Sequence, residues 1–139
     1  MQIRPYRDSD RDAVVALWEA CDLLRPWNDP VADIALCVRT PTSALFVAEA
    51  DAGALAGAVM AGSDGHRGWL YYLATEPAAR RAGLGRALVR HAEDWLAGQG
   101  IGKVNLMIRV ENEPVRAFYG RIGYEVEDRV VMARRLGPA

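Results

Sequence analysis

The chain contains no apolar run approaching the roughly 18 residues that a membrane helix requires, and its longest apolar stretches are broken by Asp, Glu or Gly. A membrane partner is therefore not expected. Cysteine is scarce: Cys21 and Cys37 stand alone, neither in a CxxC pattern nor in a Cys/His cluster, which excludes a disulfide framework and a structural zinc site. No metal is expected. There is no surplus of charge either, with 17 basic against 18 acidic side chains and a formal net charge of −1. So even a balance argues against holding nucleic acid by bulk electrostatics. Met1 to Pro5 opens directly into patterned sequence with no apolar signal-peptide region, so the expected location is cytoplasmic. Lysine is nearly absent; Lys103 stands against many arginines, which reads as coding bias rather than function.

What is present is a continuous alternation of elements without repeats, linkers or low-complexity segments. The length of 139 residues fits one domain, residues 1–139, large enough to bury a core without staples. Ile3 to Tyr6 predicts a short strand. Ser9 to Asp12 predicts a capping box opening a helix with Val14, Leu17, Trp18 and Cys21 on one face. Leu23 to Pro30 (LLRPWNDP) is too punctuated for helix, and Val31 to Arg39 predicts a second helix ended before Pro41. Ala44 to Ala50 and Leu55 to Ala61 predict a hairpin around Asp51-Ala52-Gly53. The turn Ser63 to Gly68 leads into the strand Trp69 to Thr75. Gly85 to Ala97 is amphipathic, with Leu84, Leu88, Ala92, Trp95 and Leu96 on the buried side, and Gly98-Gln99-Gly100 ends it. Lys103 to Val110 predicts a strand, Glu113 to Arg121 a helix, and Tyr124 to Leu136 one bent or two final strands. Antiparallel runs with a β-α-β crossover predict an α/β fold: a mixed, largely antiparallel sheet of about six or seven strands flanked by about four helices.

Chemistry concentrates at the strand-to-helix junction Thr75 to Ala87. Gly83 and Gly85 stand where a loop turns into a helix, and Arg80, Arg81 and Arg86 accompany them with no acid between Glu76 and Glu93. The first turn of a helix has free N–H groups and the positive end of the dipole, so it suits a phosphate. It is neither a Walker loop nor a GxGxxG fingerprint. On these residues alone, a tight turn with solvated arginines explains the pattern equally well.

Arg80-x-x-Gly83-x-Gly85, preceded by Leu73-x-Thr75-x-Pro77 and followed by an amphipathic helix, resembles the acyl-CoA-binding signature (Q/R-x-x-G-x-G/A) of the GNAT superfamily of N-acetyltransferases. Asn112, Phe118-Tyr119 and Gly123-Tyr124 resemble the second signature of that superfamily, in the expected order, and the element order agrees across the whole chain. The WNDP and DGHRG segments resemble a subgroup of its bacterial members. Thr75 departs from the usual aliphatic residue, with little expected consequence, since that position acts mainly through its backbone.

The resemblance implies transfer of an acetyl group from acetyl-CoA, as co-substrate, directly to a primary amine of a small molecule or protein. The pantetheine arm is expected along Leu73, Ala74 and Thr75 as if adding a strand. The pyrophosphate is expected on the N–H groups of Arg81, Ala82, Gly83, Leu84, Gly85 and Arg86, with Arg80 adding charge. Asn112 is expected to cap the helix after it and touch the CoA arm, and Tyr119 to protonate the departing thiolate, although a core aromatic role fits it too. A lysine-like amine must lose a proton before attack, to a base or along a water path; Glu76, Glu111 and His66 are the candidate bases, and the residues do not choose among them. Trp27, Asn28 and Asp29 either hold a cationic acceptor or stabilise a turn. Cys21 and Cys37 fit helix faces as small hydrophobes, which favours direct transfer over a Cys-acyl intermediate. The alternative function is a non-catalytic acyl-CoA-binding or sensing module, and a partner-binding domain using the fold alone is a third class. The acceptor, other acyl groups and the oligomeric state stay open, although C-terminal edge strands could pair two copies as a homodimer.

Overall fold

The computed structural model describes residues 1–137, the side chain of Arg81 excepted. They fall into two compact units, Met1–Leu106 and Met107–Ala139. The first holds β1 (Gln2–Pro5), a 3-10 turn (Asp8–Asp10), α1 (Arg11–Ala20), α2 (Pro30–Arg39), β2 (Ser43–Glu49), β3 (Leu55–Ser63), β4 (Gly68–Thr75), a second 3-10 turn (Pro77–Ala82), α3 (Leu84–Ala97) and β5 (Val104–Asn105). The second holds α4 (Glu113–Arg121). The strands form one sheet in the order β1-β2-β3-β4-β5, antiparallel as far as β4 and parallel between β4 and β5.

The near-continuous apolar run of β2 follows from a sheet covered on both faces. Leu45 and Val47 join Val14, Leu17 and Trp18 of α1 and Ile34 and Cys37 of α2 in one buried cluster. Phe46, pointing the other way as strand alternation requires, meets α3 edge-on through His91, at 4.6 Å between ring centroids, and Trp95, at 5.8 Å. Leu84, Leu88, Val89, Ala92 and Leu96 form the buried stripe of α3. Gly57 of β3 sets how closely that helix approaches: a Cβ there would lie 2.7 Å from Leu88 Cδ1 and 3.1 Å from the Ala74 carbonyl. Among the described residues no helix is long and apolar enough to cross a membrane.

The start of α1 differs from the Ser9–Asp12 capping box. Asp10 is the working residue, accepting the Arg7 backbone N–H at 2.8 Å and two Arg4 guanidinium bonds at 2.8 and 3.0 Å. Arg4 also donates to Glu49 at 2.7 Å. Both Arg4 and Asp10 are buried, so each depends on the other for solvation lost on folding. The Arg4 hydrogen bond holds the Asp10 carboxyl below its usual range. A depressed folded pKa contributes stability above the unfolded carboxylate value and loses it as pH falls through the folded one. Asp10→Ala is therefore expected to cost about 3 kcal/mol at neutral pH and to flatten the acid limb of stability. Urea melts at several pH values check this.

The sheet has five strands rather than six or seven. The Lys103–Val110 segment pairs only at Val104–Asn105, and residues 124–137 form no strand. Apolar alternation alone does not make a strand, because its N–H and C=O groups need a neighbouring ladder. Among the described residues of Met107–Ala139, α4 is the only regular element, and Val126, Val130, Met132 and Leu136 stand 82 to 91% exposed. The edge strands expected to pair two copies are thus not formed.

Candidate active site

The junction after β4 is built by two breaks in regularity. Ala58 of β3 pairs with Ala74 and Met60 with Tyr71, so Tyr72 and Leu73 together face Val59. This is a β-bulge, with Tyr72 in the left-handed region at φ 54°. Strained backbone of this kind concentrates at functional sites. On the far edge, β4 pairs with β5 only at Gly68 and Trp69. From Tyr71 to Thr75 that edge carries no ladder partner among the described residues, leaving backbone groups open to an extended ligand.

The second break is Gly83, which precedes α3 at φ 79°. Among the described residues, a Cβ there would meet nothing within 4 Å beyond its chain neighbours. Among the described residues no side chain caps this end, and no acid stands in the first turn. The first N–H groups of α3 thus point out without an intrahelical acceptor, beside the positive end of the dipole. Ala82, Gly83 and Arg86 are exposed, whereas Leu84 and Gly85 are buried, Leu84 against the sheet. Gly83, its neighbouring N–H groups and the free edge of β4 fit a molecule with a phosphate head and an extended arm. Arg80 is placed differently from the loop charge the sequence suggests: its Nε–H donates to the Thr75 carbonyl at 3.2 Å and Nη2 to Cys21 Sγ at 3.5 Å. The Cys21 thiol donates to that same carbonyl at 3.3 Å. Arg81 contributes backbone to the Pro77–Ala82 turn, and its side chain lies outside the described residues.

Asp29 is a helix cap, accepting from Val31 N–H at 3.0 Å and Ala32 N–H at 3.2 Å ahead of Pro30. Trp27 is half exposed, and Asn28 lines a cavity described below. His66 lies in a closed turn where Asp64 accepts its N–H at 2.8 Å and that of Arg67 at 2.7 Å. Those N–H groups, Arg67 first, hold the Asp64 carboxyl low. Because β4 spans eight residues, His66 before it and Glu76 after it stand roughly 25 Å apart. Glu76 is the one near the bulge. In the second unit, Asn112 caps α4 through Val115 N–H at 3.4 Å, and Glu111 is exposed. Tyr119 is buried edge-on between Phe118 and Tyr124, at 5.0 and 5.3 Å, and burial pushes its phenol up. It stays protonated at neutral pH, as a proton donor must. Burial likewise raises the Cys37 thiol, keeping it out of its nucleophilic form.

Two residues escape the sequence reading. Tyr72 stacks on Trp18 with centroids 3.9 Å apart and donates its O–H to Asp33 Oδ2 at 2.7 Å. In sequence, Asp33 is only an acid in the first turn of a helix, which complements the dipole anyway.

A family model described as the acetyltransferase (GNAT) family matches residues 7–124. The chain is 43% identical over 136 residues to an acetyltransferase of Yersinia enterocolitica, covering 98% of this chain and 96% of that one. It matches an acetyltransferase of Pectobacterium atrosepticum to the same degree, 43% over 136 residues with 98% and 96% covered. Among solved structures, AAC(6')-Iy in complex with the bisubstrate analogue CoA-S-monomethyl-acetylneamine superposes with a TM-score of 0.82 at 20% identity, over 98% of each chain. The apo aminoglycoside 6'-N-acetyltransferase AAC(6')-IG of Acinetobacter haemolyticus gives 0.79 at 17% identity, over 99% of this chain and 100% of that one. At such identities the two structures speak to the fold.

Proposed function

Since the chain belongs to the GNAT family of acetyltransferases, we propose that it moves an acetyl group from acetyl-CoA directly to a primary amine of a small molecule or protein, residues 1–139 working as one catalytic domain. The observation that carries this is Gly83: its positive φ and open surroundings expose the uncapped N-terminus of α3 beside the unpaired edge of β4. The N–H groups of residues 81 to 86 take the pyrophosphate, and the backbone of Leu73, Ala74 and Thr75 takes the pantetheine arm. Arg80 braces the end of β4 through the Thr75 carbonyl.

Catalysis on this reading is mainly positioning and charge stabilisation. The attacking amine forms its bond to the thioester carbon while the thiolate leaves. A cationic amine gives up one proton before attack and a second from nitrogen as the tetrahedral intermediate collapses; one proton goes to the sulfur and one is released. A lysine-like amine costs about 4–5 kcal/mol to neutralise at pH 7, so a base or a water path must take that proton; Glu76 and Glu111 are the candidate bases. Tyr119 gives the proton to sulfur, and Asn112 combines its cap with a contact to the CoA arm.

Acetyl-CoA is expected to raise the melting temperature by several degrees, since a hundredfold excess over Kd adds about 2.7 kcal/mol. Adenosine, lacking the pyrophosphate and the arm, is expected to do little. An unmoved melting curve at millimolar acetyl-CoA refutes the donor assignment.

A further inference from the structure

A cavity of about 530 Å³ opens between α2 and the inner strands, lined from α2 by Asp33, Leu36 and Cys37 and from the strands by Met60, Tyr71 and Tyr72. Tyr71 and Tyr72 are the residues at the β4 bulge, so the cavity abuts the strand along which the acyl donor's arm is proposed to lie. The volume is that of a small-molecule site. We infer that this cavity is the acceptor site, that Asp33 is the group that holds the acceptor, and that the acceptor is a cationic primary amine without a neighbouring carboxylate. The inference rests on the acetyl-transfer reading and supplies its substrate class.

Asp33 and the C-terminal end of α2 both favour a cation. Asp33 is half-buried in its wall, with Oδ2 fixed by the Tyr72 hydroxyl at 2.7 Å. Its Oδ1 receives no hydrogen bond among the described residues, leaving an acceptor for an ammonium N–H. Tyr72 is itself fixed by stacking on the fully buried Trp18. The carboxylate is thus held by a positioning residue that the bulge turns toward α2. Cys37 and Thr40 also bring the C-terminal turn of α2, the negative end of its dipole, to the cavity. The Thr40 and Ser43 hydroxyls there already donate to the Leu36 carbonyl at 2.6 Å and the Cys37 carbonyl at 3.1 Å. Half-exposed Tyr71 adds an aromatic side chain to the same lining. Among the described residues lining the cavity there is no arginine or lysine. An α-carboxylate brought in with the amine would face Asp33 unpaired, whereas an alkyl or aryl tail would pack on Leu36 and Met60.

Calorimetric titration of the full chain, with CoA present, tests this with two matched pairs: tyramine against tyrosine, and cadaverine against lysine. Each decarboxylated amine is expected to bind at least tenfold tighter than its amino acid. Asp33→Asn, which can still accept from Tyr72, is expected to weaken the amines at least tenfold and leave the amino acids within twofold, erasing the preference. Tyr72→Phe keeps the ring on Trp18 and is expected to weaken the amines a few-fold. Equal binding of amine and amino acid, no binding of either, or a preference that survives Asp33→Asn overturns the inference. If Asp33→Asn fails to fold, the wild-type preference decides. The same amines incubated with acetyl-CoA separate the two readings: selective binding without release of CoA thiol refutes acetyl transfer and leaves the cation site standing.

Discussion

Gly83→Val is expected to abolish acetyl-CoA binding while the apo chain still folds. The backbone at Gly83 is left-handed, at φ 79°, and an added Cβ would meet no atom within 4 Å among the described residues beyond its chain neighbours. The fold therefore imposes only the backbone cost of a side chain in that region, about 1–2 kcal/mol, against a typical domain stability of about 5–15 kcal/mol. A bound pyrophosphate feels the substitution far more, because the branched side chain fills the approach to the N–H groups at the start of α3. Gly83→Asn separates the two costs, since asparagine tolerates the left-handed region better than valine. It should fold nearly as well as the parent and still bind poorly. Melting curves with and without acetyl-CoA read both quantities at once. A Gly83→Val chain that fails to fold, or that keeps the full acetyl-CoA shift, reduces this glycine to a turn residue.

Tyr119→Phe is expected to lower kcat at least tenfold at saturating substrates, with acetyl-CoA affinity within a few-fold of the parent. Removing the hydroxyl preserves the ring that packs edge-on against Phe118 and Tyr124, so the melting temperature should hardly move. The phenol is protonated through the neutral range at its ordinary value, and burial raises it further, so transfer to sulfur depends on the two groups being held together out of solvent. The phenol is available to a thiolate whose parent thiol titrates near 8.5. General-acid catalysis is typically worth about 10²–10⁴-fold, so tenfold is a low bar. Parent-like kcat leaves protonation of the thiolate to water and returns Tyr119 to the core.

The local signals in the sequence were sound where a short stretch decides the outcome. Val31 to Arg39 reads as a helix and is one, begun one residue earlier at Pro30 with Asp29 as its cap. The spacing of Leu84, Leu88, Ala92 and Leu96 reads as a buried stripe and is one. Gly83 reads as a residue needed for unusual backbone, which its φ bears out. Tertiary choices were not legible. Nothing in Trp69-Leu70-Tyr71-Tyr72-Leu73 announces a bulge, because a positive φ shows in sequence only when glycine or asparagine occupies it, and here tyrosine does. Asp33 and Tyr72 lie 39 residues apart, and only the packing of α2 on the sheet joins them. Arg80 reads as loop charge, yet the Thr75 carbonyl and Cys21 claim its guanidinium. Residues 124–137 alternate like a strand but have no ladder in their own unit. The apolar period reports which side chains want burial and says nothing of which backbone is available to pair.

The central claim is that this chain acetylates an amine, and the direct measurement follows both products. Purified full-length chain, acetyl-CoA and a panel of primary amines, including those that bind the Asp33 cavity, are monitored for CoA thiol and, by mass spectrometry, for N-acetylated amine. The account predicts equimolar formation of the two with at least one cationic amine, abolished by Gly83→Val and slowed by Tyr119→Phe. Tight acetyl-CoA binding with no N-acetylated amine across the panel would contradict it, and would make the chain an acyl-CoA-binding module rather than an enzyme.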